Sequence, residues 1–85
     1  MDNVEALKQQ AGIEACKFVK SGMKVGLGTG STVRHTVIEL GRKIEHEDLQ
    51  IIGVPTSLAT ENLAIKVGIP LVELSECDVL DIVID

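Results

Sequence analysis

Apolar residues recur at three- and four-residue steps along the first stretch of the chain: Val4, Leu7, Ala11, Ala15, Phe18 and Val19. That spacing predicts an amphipathic helix, capped by Asp2 or Asn3 and closed by Ser21-Gly22. The rhythm then changes. Lys24 to Leu27 predicts a short strand that runs into a glycine-rich break, and Val33, Val37, Leu40 and Ile44 predict a second helix over about 31–43. His46-Glu47-Asp48 is polar and reads as a connection. Leu49 to Val54 is rich in β-branched residues and predicts a second strand ended by Pro55. Ser57 can cap a third helix with Ala59, Leu63 and Val67 on one face and Gly68 at its end. Ile69 to Val72 predicts a short edge strand, because its proline cannot donate to a ladder. Val79 to Asp85 predicts a fourth strand, apolar except for Asp81 and Asp85.

Helices alternating with apolar strands specify an α/β fold: a mainly parallel, Rossmann-like sheet in a three-layer α/β/α arrangement. Right-handed crossovers place the helices on both faces and gather the strand carboxyl ends on one edge, where ligands of such sheets bind. That edge brings together the glycine-rich break, the segment Val54-Pro55-Thr56-Ser57, and Asp85. The last strand stops at Asp85 with no turn or helix after it. This predicts that residues 1–85 are one incomplete part of a larger domain; the plainer alternative is a small domain with a C-terminal edge strand.

Composition narrows the class. Of 85 residues, 45% are hydrophobic but Phe18 is the only aromatic, so the core must be aliphatic. The formal net charge of -5, with no basic run, argues against nucleic acid as a partner. No apolar stretch approaches the ~20 residues that span a bilayer, and the acidic start lacks a signal-peptide layout. Cys16 and Cys77 have no CxxC spacing and are expected to be reduced core thiols. Together these features predict a cytoplasmic, membrane-free protein.

The glycine-rich break, Gly26-Leu27-Gly28-Thr29-Gly30-Ser31-Thr32, carries the most chemistry. A dinucleotide fingerprint needs a third glycine where Ser31 stands, and a carboxylate closing the second strand, where Gly53-Val54-Pro55 offers none. A phosphate loop of the nucleotide-triphosphatase type needs a lysine after Gly30, and none follows. What remains is a compact anion nest at a helix N-terminus, with hydroxyls from Thr29, Ser31 and Thr32, suited to one small phosphate monoester. The plainer alternative is a tight strand-to-helix turn in which Ser31 or Thr32 simply caps the helix. Thr56 and Ser57 are open to a sugar hydroxyl, though Ser57 as a helix cap is the better-supported reading. Asp85 is either a site carboxylate at a strand exit or a solvated terminal residue. His35 has no partner at metal-ligand spacing and is expected to face solvent; no metal site is expected.

Four blocks taken together resemble the N-terminal portion of type A ribose-5-phosphate isomerase. They are the loop 26–32, Gly53-Val54-Pro55-Thr56-Ser57, Gly68-Ile69-Pro70-Leu71, and Asp78-Val79-Leu80-Asp81-Ile82-Val83-Ile84-Asp85. They keep order and spacing over nearly the whole chain. The resemblance implies an enzyme of the pentose phosphate pathway that interconverts ribose 5-phosphate and ribulose 5-phosphate with no cofactor. It implies that Thr29, Gly30, Ser31 and Thr32 bind the substrate's phosphate, and that Asp85 is an active-site aspartate. It also implies a homo-oligomer, dimer or tetramer.

The family's segment after that aspartate, its lysine loop and its general base have no counterpart in this sequence. Isomerisation through an enediolate needs a base that moves a proton between C1 and C2. The 85 residues alone are therefore expected to be inactive. The alternative from another class is the sugar-phosphate sensor domain of a transcriptional regulator, which should carry a basic helix-turn-helix upstream. A coenzyme A transferase would need a glutamate nucleophile that none of these motifs supplies.

Overall fold

In a computed structural model, which describes residues 3–85, the chain forms three parallel strands and three α-helices. The helices are α1 (Asn3–Ala15), α2 (Ser31–His46) and α3 (Leu58–Val67); the strands are β1 (Lys24–Leu27), β2 (Ile52–Pro55) and β3 (Ile82–Ile84). Asp2, one of the two proposed caps of α1, lies outside the described residues.

The sheet order is β2-β1-β3, and β1 is parallel to both neighbours. Register pairs Gly26 with Val54 on one side and with Val83 on the other. The expected strand at 69–72 is reduced to a single parallel bridge, Gly53 to Leu71, on the outer side of β2. Pro70 explains the reduction, because it has no N–H and contributes only its carbonyl, which accepts the Gly53 N–H at 2.8 Å. With that bridge included, the chain steps outward twice from β1 and then crosses to its other side for β3. This is the winding of a Rossmann-like sheet, and it puts the reversal of strand order between β1 and β3.

The fourth strand begins later than its apolar run suggested. Asp81 accepts the Lys24 N–H on Oδ2 at 2.8 Å and donates its own N–H to the Lys24 carbonyl at 2.9 Å. Its carboxylate thus replaces a ladder partner at the start of β1, and the paired strand is only Ile82–Ile84. β2 likewise starts at Ile52 instead of Leu49, because Gln50 is engaged by the turn before β1: its N–H donates to Ser21 Oγ, and its carbonyl accepts the Gly22 N–H.

Val25 and Leu27 project from β1 into one core with Val33, Val37 and Leu40 of α2, Ala64 of α3, Cys16, Ile51, Ile69 and Ile84. The helices lie side by side on that face. α1 approaches α2 through Gly12, and α2 approaches α3 through Gly41 against Val67. On the opposite face, the direction a side chain would take from Gly26 meets Leu80 and Val83. The ends of α3 follow the sequence closely. Ser57 Oγ accepts the Thr60 N–H at 3.2 Å, and Gly68 closes the helix with φ 88°.

Only the end of the stripe that predicted α1 is buried: Val19 is in the core and Ala15 packs against it, but Val4, Leu7, Ala11 and Phe18 are exposed. Phe18 and Leu7 are 69% and 63% exposed, and the buried positions are Gly12, Cys16 and Val19. The cause is a close helix crossing. Thr36 Oγ1 donates to the Gly12 carbonyl at 2.9 Å, a contact that only a residue without a side chain lets α2 approach.

Both cysteines are free, but they differ. Cys16 is buried, with its Sγ 3.5 Å from the carbonyls of Gly12 and Thr36. Burial, reinforced by the negative charge of Glu39, pushes its thiol up to about 11. Cys77 is half-buried instead of in the core, in the loop before β3. Alkylation at pH 8 should therefore label Cys77 in the native chain and reach Cys16 only in denaturant, as one and then two adducts by mass. Cys16 contributes fully below pH 9, where both folded and unfolded thiols are protonated, and the contribution is lost as pH rises through about 11.

Candidate functional site

The glycine loop leaves β1 at its carboxyl end, beside the reversal in strand order. Gly28 donates its N–H to the Ile84 carbonyl at 2.8 Å, which extends the β1–β3 ladder into the loop. The carbonyl of Leu27 is occupied from the other side, accepting the Thr56 N–H at 3.0 Å and Thr56 Oγ1 at 3.2 Å. Thr60 Oγ1 donates to the Gly28 carbonyl at 2.8 Å. Both flanking strand exits thus hold the start of the loop.

Beyond Gly28 the backbone is open. Gly30 takes φ 117°, a conformation that costs any residue with a side chain, and it is the N-cap of α2. No side chain caps this helix: Ser31 is already its first residue, and the plain capping role considered for Ser31 or Thr32 is not observed. Among the described residues, the N–H groups of Thr29, Gly30, Ser31 and Thr32 make no hydrogen bond to protein. Four free donors at the positive end of a sixteen-residue helix make a strong anion-binding arrangement. By contrast Ser57, the other hydroxyl at a strand exit, is engaged as the cap of α3.

Asp85 reaches the same place from β3. A side-chain carbon placed on Gly28 would lie 2.6 Å from Asp85 Oδ1, so the carboxylate and the loop are in direct apposition. The glycine loop and Asp85, 57 residues apart in sequence, are therefore brought together by the parallel pairing of β1 with β3. Thr56 is held on the Leu27 carbonyl and serves the loop from behind.

Two residues were not marked by sequence. Thr60 sits one turn into α3 and gives no motif signal, because its loop contact exists only after β1 and β2 pair. Arg34 lines a cavity of about 400 Å³ together with Thr29, Gly30, Ser31, Val37, Ala59, Thr60 and Leu63, and so adds a cation behind the loop. Its one available signal was a basic residue one turn into the helix that follows the glycines. A larger cavity, about 830 Å³, lies along α3 and the 68–76 segment. Glu61, Glu73 and Glu76 line it with no basic residue, which makes it a poor place for a phosphate. His35, expected in solvent, is only 19% exposed at its side chain, and its Nε2 lies 2.7 Å from Glu5 Oε1 across the α1–α2 contact. No helix among the described residues is long and apolar enough to cross a membrane. No cluster of three or more metal-ligating side chains occurs among them either.

No family model matches the chain. Individual relatives do. Ribose-5-phosphate isomerase A of Lactococcus lactis is 52% identical over 82 residues, which covers 96% of this chain and 37% of that protein. The same enzyme of Enterococcus faecalis is 52% identical over 79 residues, covering 93% and 35%. Among solved structures, ribose 5-phosphate isomerase A of Methanocaldococcus jannaschii matches with a TM-score of 0.88 at 48% identity, over 93% of this chain and 35% of that one. A D-ribose-5-phosphate isomerase solved in complex with phospho-erythronic acid matches with a TM-score of 0.89 at 40% identity. The chain spans a little over a third of the length of these relatives. Along nearly its whole length, and in sequence and fold alike, it is similar to a segment of ribose-5-phosphate isomerase A.

Proposed function

We propose that this chain is the phosphate-holding segment of an aldose-ketose isomerase that interconverts ribose 5-phosphate and ribulose 5-phosphate. The single observation that carries the reading is the apposition of a donor-rich, uncapped helix start with the carboxylate of Asp85. The N–H groups and hydroxyls of Thr29, Gly30, Ser31 and Thr32 take the dianionic phosphate. Asp85 lies beside the loop, where the sugar end of a phosphate-anchored pentose arrives, and it accepts hydrogen bonds from hydroxyls there. Anchoring the tail fixes C1 and C2 relative to the protein, which is the positioning part of catalysis. The base that transfers the proton between C1 and C2 belongs to residues other than these. The work needs no redox group, because the electron pair stays within the substrate as the enediolate forms and collapses.

The phospho-erythronic acid bound to a structural relative supports a phosphorylated sugar acid or sugar as the ligand class. The relatives named above are isomerases and none is a regulator, which supports the enzyme reading over the sensor alternative. Self-association into a dimer or tetramer and a cytoplasmic location remain part of this proposal. So do the absence of nucleic acid from its partners and a place in the pentose phosphate pathway.

Titration of the isotope-labelled chain with ribose 5-phosphate should move the amide resonances of residues 29–32, and titration with ribose should not. The same chain should show no turnover of ribose 5-phosphate. Amides at 29–32 that stay fixed at saturating ribose 5-phosphate would remove the loop from the site. Turnover by these 85 residues would show that the base is among them.

A further inference from the structure

The loop's ability to hold an anion depends on which way one peptide group points, and a single buried side chain sets it. Thr60 is 7% exposed, and its Oγ1 donates to the Gly28 carbonyl at 2.8 Å. That hydroxyl is itself fixed, since Ser57 Oγ donates to Thr60 Oγ1 at 3.1 Å while accepting the Thr60 N–H. Every hydrogen in this short chain therefore has one assigned acceptor. A peptide group is planar and trans, so its C=O and the N–H of the next residue point in opposite directions. Drawing the Gly28 carbonyl onto α3 thereby turns the Thr29 N–H away from α3.

An anion nest needs its N–H groups convergent and its carbonyls turned out, because a carbonyl oxygen facing a phosphate repels it. Gly28 has little steric preference of its own to keep this peptide from rotating. Its N–H is pinned to Ile84, and among the described residues its carbonyl is pinned only by Thr60.

We propose that Thr60 is a positioning residue for the phosphate loop: its hydroxyl holds the Gly28–Thr29 peptide in the orientation that presents the Thr29 N–H to the ligand. In this role Thr60 acts through the loop backbone, by its bond to the Gly28 carbonyl. This inference deepens the sugar-phosphate reading and rests on it for the ligand.

The test compares Thr60→Val, which keeps the shape and removes the hydroxyl, with Thr60→Ser, which keeps the hydroxyl. Thr60→Val should stay folded by circular dichroism. In the ligand-free chain its Thr29 amide should shift and broaden, and its affinity for ribose 5-phosphate should fall about ten-fold, the size of one lost hydrogen bond to a charged group. Thr60→Ser should return both readouts to within about three-fold of the parent, inside the spread of a single neutral hydrogen bond. Should Thr60→Val fail to fold, Thr60→Ala removes the same donor with less crowding and carries the comparison. Ser57→Ala removes the bond that fixes the Thr60 hydroxyl but leaves that hydroxyl its acceptor on Gly28, so it should lower melting temperature through the lost cap and move the Thr29 amide less than Thr60→Val does. A Thr29 amide unchanged in the folded Thr60→Val chain overturns the inference. So does a Thr60→Ser chain as impaired as Thr60→Val, because a hydroxyl kept at position 60 would then not hold the loop. A parent chain that binds no ribose 5-phosphate overturns the functional reading instead, and the ligand-free Thr29 amide still decides the role of Thr60.

Discussion

Replacing Gly28 by alanine should weaken ribose 5-phosphate binding by ten-fold or more and leave the chain folded. The new methyl carbon would lie 2.6 Å from Asp85 Oδ1, 3.1 Å from the Ile84 carbonyl oxygen and 3.2 Å from Asp85 Cα. The carboxylate is the free end of a side chain and can swing aside, so the fold survives. Ile84 and the Asp85 backbone must also give by a few tenths of an ångström, which lengthens the 2.8 Å bond from Gly28 N–H to Ile84. Both consequences fall on the site. Asp85 leaves the position it holds beside the loop, and the first residue of the nest loses its anchor to β3. A contact to a charged ligand group is worth about 1.5–3 kcal/mol, so losing one amounts to roughly ten- to hundred-fold in affinity. Calorimetric titration with ribose 5-phosphate checks the number. Binding within two-fold of the parent would mean that neither Asp85 nor the β3 anchor matters to the ligand.

How much of this was legible beforehand differs element by element. β1, the glycine loop and α3 were readable because their determinants are local: Val25 and Leu27 running into a break, three glycines in five positions, Ser57 as cap and Gly68 as stop. The 69–72 segment is cut short by Pro70, but the late starts of β2 and β3 share another cause. Apolar character sets where a chain can be buried, but ladder length is set by which backbone groups are already taken. Asp81 takes the Lys24 N–H, and Ser21 takes the Gln50 N–H. Neither of these long-range bonds leaves a periodic trace.

The site shows the same division. The loop residues and Asp85 could be nominated singly, from glycine chemistry and from the resemblance to a known family. Their apposition follows only from the β1–β3 pairing. Thr60 was invisible, since a threonine in the first turn of a helix is ordinary until its partner carbonyl arrives from another strand. The open N-terminus of α2 was half visible: the sequence offered Ser31 and Thr32 as caps, and Gly30 holds that position with no side chain to give.

The clearest reversal concerns α1, and it yields the second large effect. Gly12→Ala should destabilise the chain by about 2 kcal/mol, although alanine is the better helix former by about 1 kcal/mol. The added carbon would lie 2.6 Å from the Thr32 carbonyl oxygen, 2.8 Å from His35 Cβ and 3.0 Å from the Thr36 N. Two of these obstacles are backbone and the third is the root of a side chain, so no rotamer change relieves them. α1 must move off α2, at an overpacking cost of typically 1–3 kcal/mol. The movement also strains the Thr36 hydroxyl bond to the Gly12 carbonyl, worth about 1 kcal/mol. For a domain of this size, 2 kcal/mol lowers the melting temperature by roughly 8–16 °C. Leu7→Ala is the natural comparison, because periodicity puts Leu7 in the core and the structure leaves it 63% exposed. It should cost less than about 0.5 kcal/mol, as exposed substitutions do. Thermal melts of the two variants therefore rank the two faces of α1. A Leu7→Ala chain less stable than Gly12→Ala would mean that the helix packs by its apolar stripe, with the Thr32 carbonyl and the end of the glycine loop no longer resting on Gly12.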